Sequence, residues 1–256
     1  MATNKYIPKQ GIICLIDALG AKAYSEEDTV NFLKSREVIR KAIEDKCEEQ
    51  IDSGNIDDKP YIAFFNVTII ITMEFKQNLV DFEYKYLKAM GYIVRKLISD
   101  GISKKILYRG AISVGRFFLD SRSNTIIGQA IADAESWYES TEMIGCILTP
   151  RTYLILEKHR ITARRKLKHI FIDYDVPLKT GKQMMVCINW PKAFYVPSIK
   201  PDGCVEGKEL QYLYTKLGEN IIPKNTESKY YNTIEFFKYS STEIKRDKKL
   251  KSSRKR

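Results

Sequence analysis

The 256-residue sequence predicts an α+β protein. Three observations carry this. Short apolar, β-branched runs alternate with longer segments whose apolar residues recur at helical spacing. Stretches rich in Gly, Asn and Asp separate the two kinds of segment. Hydrophobic residues are 44% and aromatics 11% of the chain, enough for a sizeable core and too many for a disordered chain.

Gly11–Asp17 reads as a buried strand closed by Asp-Ala-Leu-Gly. Glu26–Gln50 suits an amphipathic helix, with Val30, Phe32, Leu33, Val38, Ile39 and Ile43 as its apolar positions. Ile51–Pro60 carries Gly54, Asn55, Asp57 and Asp58 and is expected to be a loop. Tyr61–Phe75 is strand material with a tight reversal near Asn66, and Phe64 and Phe65 are expected in the core. Gln77–Asp100 has helical spacing and stops at Gly101. Ile106–Leu119 reads as a strand, turning through Asp120–Asn124 into Thr125–Ile127.

Gly128–Glu142 returns to a helix of small and acidic residues. Cys146–Leu148 is a short strand, Arg151–His159 a helix, and His169–Tyr174 and Met184–Trp190 a closing strand pair around Thr180–Gly181. Lys208–Gly218 and Lys229–Tyr239 are expected helices beyond a connection marked by Pro and Gly. The order β-α-β-β-α-β-β-α-β resembles a ferredoxin-like core with an antiparallel sheet and a helical C-terminal addition. The expected division is 1–198 for the core domain, 199–243 for the addition and 244–256 for a disordered basic tail.

Composition excludes several chemistries. The apolar runs fall far short of the ~20 residues a bilayer span requires. Asp17 interrupts the apolar stretch of Met1–Gly20, so no signal peptide is expected and a cytoplasmic location is. Five scattered cysteines form no CxxC pair, and only His159 and His169 are available as imidazoles, so neither a zinc site nor a Ser–His–Asp hydrolase is expected. The net charge is +11, but Ile244–Arg256 holds eight Lys/Arg against one Asp. This run is expected to be solvated and to offer contact with a polyanion.

Two segments suggest chemistry. Cys14-Leu15-Ile16-Asp17-Ala18-Leu19-Gly20 puts a carboxylate at a strand end before a turn. Tyr108-Arg109-Gly110-Ala111-Ile112-Ser113-Val114-Gly115 continues to Gly128-Gln129-Ala130-Ile131 and Ala134–Glu139. Gly110 and Gly115 let something pass close to the strand. Gly128, Ala130, Ala132 and Ala134 let a helix start close against the sheet. Lys76, Trp137, Trp190 and the alternating pair Asp173 and Asp175 are weaker candidates, read mainly as surface or packing residues.

Together, over roughly residues 10–195, these motifs resemble the class III nucleotide cyclases, and most closely the small bacterial cyclases that include the Pycsar pyrimidine cyclases. The resemblance implies a nucleotide cyclase-like domain over 1–198 and a homodimer with a nucleoside triphosphate between the chains. It implies two divalent ions, Mn²⁺ or Mg²⁺, that activate the ribose 3′-hydroxyl and stabilise departing pyrophosphate. The product would be a 3′,5′-cyclic nucleotide, of a pyrimidine in the closest relatives, made in antiphage signalling.

The family's first metal aspartate maps onto Asp17. Its second lies in a Phe-Ser-Asp-Thr-Ile pattern that here reads Phe65-Asn66-Val67-Thr68-Ile69. Val67 takes the carboxylate's place, and Asn66 is the neighbouring metal candidate. Asp17 and Arg109 are the implied catalytic residues, and Gly20, Gly115 and Asp133 the nucleotide-binding ones. The alternative implied by the missing aspartate is a catalytically degenerate homologue that binds a nucleotide or a partner.

Overall fold

The computed structural model describes residues 7–21, 24–75, 82–158, 167, 169–220 and 222–253. β1 (Lys9–Ala18) is buried along most of its length because helices pack on the sheet there. It pairs antiparallel with β3 (Thr68–Glu74) on one side and β4 (Tyr108–Asp120) on the other. β2 (Tyr61–Phe65) adds to the outer edge of β3 through a two-residue turn at 66–67. With α1 (Glu26–Asp52) after β1 and α2 (Phe82–Ser103) after β3, this is a βαββαβ unit with strand order β2-β3-β1-β4. It is the ferredoxin-like arrangement that the sequence predicts.

β5 (Thr125–Ile127) folds back on β4 as the expected hairpin. α3 (Gln129–Ser140) then crosses to β6 (Gly145–Leu148), which pairs parallel to β4. The sheet is therefore mixed rather than wholly antiparallel. A helical crossover delivers the chain back to the same end of the sheet, and that is how parallel neighbours arise. α4 (Pro150–Lys158) leads to β7 (Phe171–Leu178) and β8 (Gly181–Ile188), which complete the order β2-β3-β1-β4-β6-β8-β7. Phe65, expected in the core, is 38% exposed because it ends the edge strand β2.

The two faces of β4 serve different helices. Tyr108 and Gly110 face α2, where a Cβ on Gly101 would meet the Tyr108 ring at 2.6 Å. Arg109, Ser113 and Gly115 face α3, through contacts with Tyr138, Asp133 and Ala130. Asp17 lies opposite Arg109 in the ladder and so shares the α3 face.

Beyond β8, a 3₁₀ segment (Trp190–Tyr195) buries Trp190 and Phe194 against Phe236 and Phe237. α5 (Glu209–Gly218) and α6 (Glu227–Ser253) follow. Leu213, Leu217, Phe236 and Phe237 belong to the same core cluster as the sheet. Polar ties join them too: the Ile144 amide donates to Thr233 Oγ1 (2.8 Å) and Ser240 Oγ to Asn189 Oδ1 (2.6 Å). The C-terminal helices thus share one core with the sheet.

The run expected to be a disordered tail is instead helical as far as Ser253. The buried stripe Tyr230, Thr233, Phe236, Phe237, Ser240, Ser241 and Ile244 carries the helix along the body, and Lys and Arg sustain it past that point. Residues 254–256, the predicted helix start at 77–81, Lys76 and His159 lie outside the described residues.

A Cβ on Gly110 would sit 2.4 Å from Ile16 Cγ1 and 2.6 Å from the Leu15 carbonyl oxygen, and backbone cannot yield as a side chain can. Gly110→Ala is therefore expected to destabilise the protein by roughly 1–3 kcal/mol in urea denaturation. Stability within a few tenths of wild type would show that β1 and β4 are free to separate.

Candidate functional site

The end of β1 is fixed from both sides. The Ala18 amide donates to the Val67 carbonyl (3.2 Å) and the Leu19 amide to the Leu107 carbonyl (2.7 Å). Asp17 is held between these ties, half-buried, opposite Thr68 on β3 and Arg109 on β4. Thr68 Oγ1 donates to Asp17 Oδ1 at 2.9 Å. The adjacent β2–β3 turn takes Asn66 into the left-handed region (φ 51°), a conformation that Asn tolerates better than most residues. Arg36 of α1 steadies the turn: its Nη1 donates to the Asn66 carbonyl (2.7 Å) and its guanidinium lies 5.7 Å from the Phe64 ring centroid.

Arg109, expected to be catalytic, ties β4 to the end of α3. Its Nη1 donates to the carbonyls of Glu139 (3.3 Å) and Thr141 (3.0 Å), and its guanidinium lies 5.4 Å from the Tyr138 ring centroid. The cation thus satisfies carbonyls at the negative end of α3. Tyr138 was not singled out in the sequence. Its phenol is raised above the ordinary tyrosine range, first by burial and then by the charge of Asp17. No spacing rule could have found it, because the strand pairing is what brings α3 beside Asp17.

The remaining predicted residues do not gather here. Asp133 Oδ2 accepts from Ser113 Oγ (2.6 Å), joining α3 to β4 four residues along from Arg109. Gly115 pairs with Gly11 at the other end of β1, about 20 Å from Arg109 at ~3.3 Å per residue. The close neighbours of a Cβ there would be Ala130 and Arg151, so the glycine makes room for protein. Gly20 turns the chain after β1 with φ 79°, and the nearest atom to a Cβ on it would be Pro223 Cγ at 3.8 Å.

The start of α1 is capped and acidic. Ser25 and Asp28 close a capping box over its first amides, and Glu26, Glu27 and Asp28 fill its first turn. The hydrogen bonds from Ser25 hold the Asp28 carboxyl below the usual range. Beside this start, a cavity of 160 Å³ lies among Leu19, Gly20, Tyr24, Lys105 and Tyr230. Cavities of 310 and 450 Å³ both reach Asp173 on β7 and neither includes Asp17.

A pair of divalent ions needs carboxylates to share. The positions opposite Asp17 are a threonine and an arginine, and the turn beside it offers Asn66 and Val67. No group of three or more His, Cys, Asp and Glu able to hold a metal occurs among the described residues. The residues present do not fit a two-ion centre.

No family model matches the chain, and no curated protein matches it either. Among solved structures, the catalytic core of a rhodopsin-guanylyl cyclase with converted specificity, in complex with ATPalphaS, is 11% identical with a TM-score of 0.48, covering 73% of this chain and 98% of that one. The guanylyl cyclase domain of the RhoGC fusion protein from the aquatic fungus Blastocladiella emersonii is 10% identical with a TM-score of 0.47, covering 72% and 96%. The adenylyl cyclase CyaB from P. aeruginosa is 12% identical with a TM-score of 0.43, covering 72% and 95%. These likenesses are loose and carry no argument about chemistry. Among the described residues no helix is long and apolar enough to cross a membrane.

If Arg109 holds the end of α3, Arg109→Gln should lower the stability of the ligand-free protein by roughly 1–3 kcal/mol in chemical denaturation. An unchanged midpoint would return Arg109 to the ligand-facing residues.

Proposed function

We propose that the chain is a catalytically degenerate nucleotide cyclase-like module, which uses the sheet end around Asp17 to bind a nucleotide or a partner without cyclising a triphosphate. One observation supports this above the others: Asp17 faces Thr68 and Arg109 where shared metal ions would require a second carboxylate. The acidic, self-capped start of α1 and the engagement of Arg109 by α3 agree with it. Loss of one bridging carboxylate is expected to cost on the order of a thousandfold in rate, equivalent to about 4 kcal/mol.

A second reading, formation of a 3′,5′-cyclic nucleotide with release of pyrophosphate, draws on the motif resemblance and on the placing of Asp17 beside the hairpin turn. Pyrimidine specificity, antiphage signalling and closeness to the Pycsar enzymes belong to that reading. A Mn²⁺ or Mg²⁺ requirement, with Asn66 as second ligand, belongs to it too. A homodimer in the cytoplasm suits either.

The two are separated by incubating the protein with each of the four nucleoside triphosphates and Mn²⁺, with mass detection of cyclic products. The expected result is no product above that of Asp17→Asn. A product that disappears in Asp17→Asn would overturn the proposal.

The missing carboxylate can also be supplied. Thr68→Asp puts a second acid directly across from Asp17. It is expected to melt lower than wild type in EDTA, through like-charge repulsion, and to recover with Mn²⁺. A variant that Mn²⁺ does not stabilise would show that more than one ligand is absent.

A further inference from the structure

β8 outruns the strand beside it. β6 ends at Leu148 and Pro150 opens α4, so β6 meets β8 at a single ladder pair, Ile147 with Cys187. Residues 181–186 of β8 therefore have β7 as their one strand partner among the described residues. The cavity of 450 Å³ lies along this free edge, between β8 and the first turn of α4. Leu148, Pro150, Tyr153, Met184, Met185 and Val186 supply its apolar lining. Successive strand residues point to opposite faces, so a cavity that touches both Met184 and Met185 follows the strand's edge. The lining is incompletely covered: Met184 is 61% exposed, and Leu154, next to Tyr153 on α4, is 67% exposed.

Two polar side chains, Gln183 and Asp173, complete the lining. Asp173 and Asp175 stand across the ladder from Val186 and Met184 and so share a face with them. The adjoining cavity of 310 Å³ also includes Asp173 and Val186. Among the described residues that line the two, the carboxylates of Glu157, Asp173, Glu243 and Asp247 stand against one cation, Lys192. The negative potential reaches Tyr239, whose phenol is raised above its ordinary range by burial and then by Glu243, Asp173 and Asp175. Asp173 already has a partner, but a carboxylate offers about four lone-pair sites and accepts from more than one donor.

We propose that the groove between α4 and the free edge of β8 binds a small organic cation with an apolar body, an arylalkyl amine in class. The body lies against Tyr153, Met184 and Met185, and the ammonium donates to Asp173. Methionine is flexible and polarizable enough to pack against an aromatic ring. Apolar burial supplies the affinity and the carboxylate fixes the orientation, the common division of labour in a cavity of this size. An anion would meet like charge, and a wholly apolar ligand would cover Asp173 without offering it a donor. The groove uses no residue of the Asp17 site.

Phenylbutylamine, phenylbutanol and phenylbutyrate share one body and differ in charge, and each can be titrated into the full chain by calorimetry at low salt. The amine is expected to bind saturably, the alcohol about tenfold more weakly and the acid not at all. Asp173→Asn should bring the amine down to the affinity of the alcohol and leave the alcohol unchanged. Met184→Gln should weaken amine and alcohol alike, by about threefold. Both positions are exposed, so both variants should keep the wild-type melting temperature. An acid that binds as tightly as the amine would overturn the proposal, as would an amine affinity that Asp173→Asn leaves unchanged. No saturable binding of the amine would also overturn it. If, in addition, Met184→Gln turned a self-associated wild type into a monomer, the groove would belong to a second copy of the chain.

Discussion

Both edges of β1 are committed. Its amides and carbonyls pair with β3 on one side and β4 on the other, so the strand has no freedom to shift, and its side chains are buried along most of its length. Everything else is arranged from it. α2 and α3 cover opposite faces of β4, the partner strand. β6, β8 and β7 extend the sheet beyond that strand, and the C-terminal helices close over the extension. The close approach of β4 is permitted by Gly110, where any side chain would strike the backbone of β1. Asp17 therefore has a fixed address at the sheet end, whatever it does there.

The proposed function turns on the neighbours of Asp17 in the ladder, neither of which is a second acid. Thr68 gives Asp17 one hydroxyl donor. Arg109 presents a cation whose hydrogen bonds go to α3, and Asn66 belongs to a turn fastened through its carbonyl by Arg36. Each of these contacts steadies the scaffold. A carboxylate left alone among such groups can orient a ligand. It cannot by itself gather two cations.

The element order was legible because periodicity and turn residues carry it. Strand partners were less so. Nothing in Cys146–Leu148 states that it will lie parallel to β4; the crossover through α3 decides that. Register was the more costly gap. The motif alignment put Val67 in the place of the second carboxylate, whereas the residue across the ladder from Asp17 is Thr68. One residue of slip moves a side chain to the opposite face. Arg109 was visible as a charged residue beside a glycine, but its partners are main-chain carbonyls at 139 and 141, which no side-chain motif reveals. The basic run read as a tail because charge marks solvent exposure well and helix extent poorly.

The account rests on the absence of a shared-carboxylate centre at the end of β1, and direct metal binding tests it without any substrate. Mn²⁺ can be titrated into the wild-type protein while electron paramagnetic resonance counts the free ion. The account predicts no stoichiometric binding of two ions per chain. Two tightly bound Mn²⁺ per chain, both lost in Asp17→Asn, would contradict it.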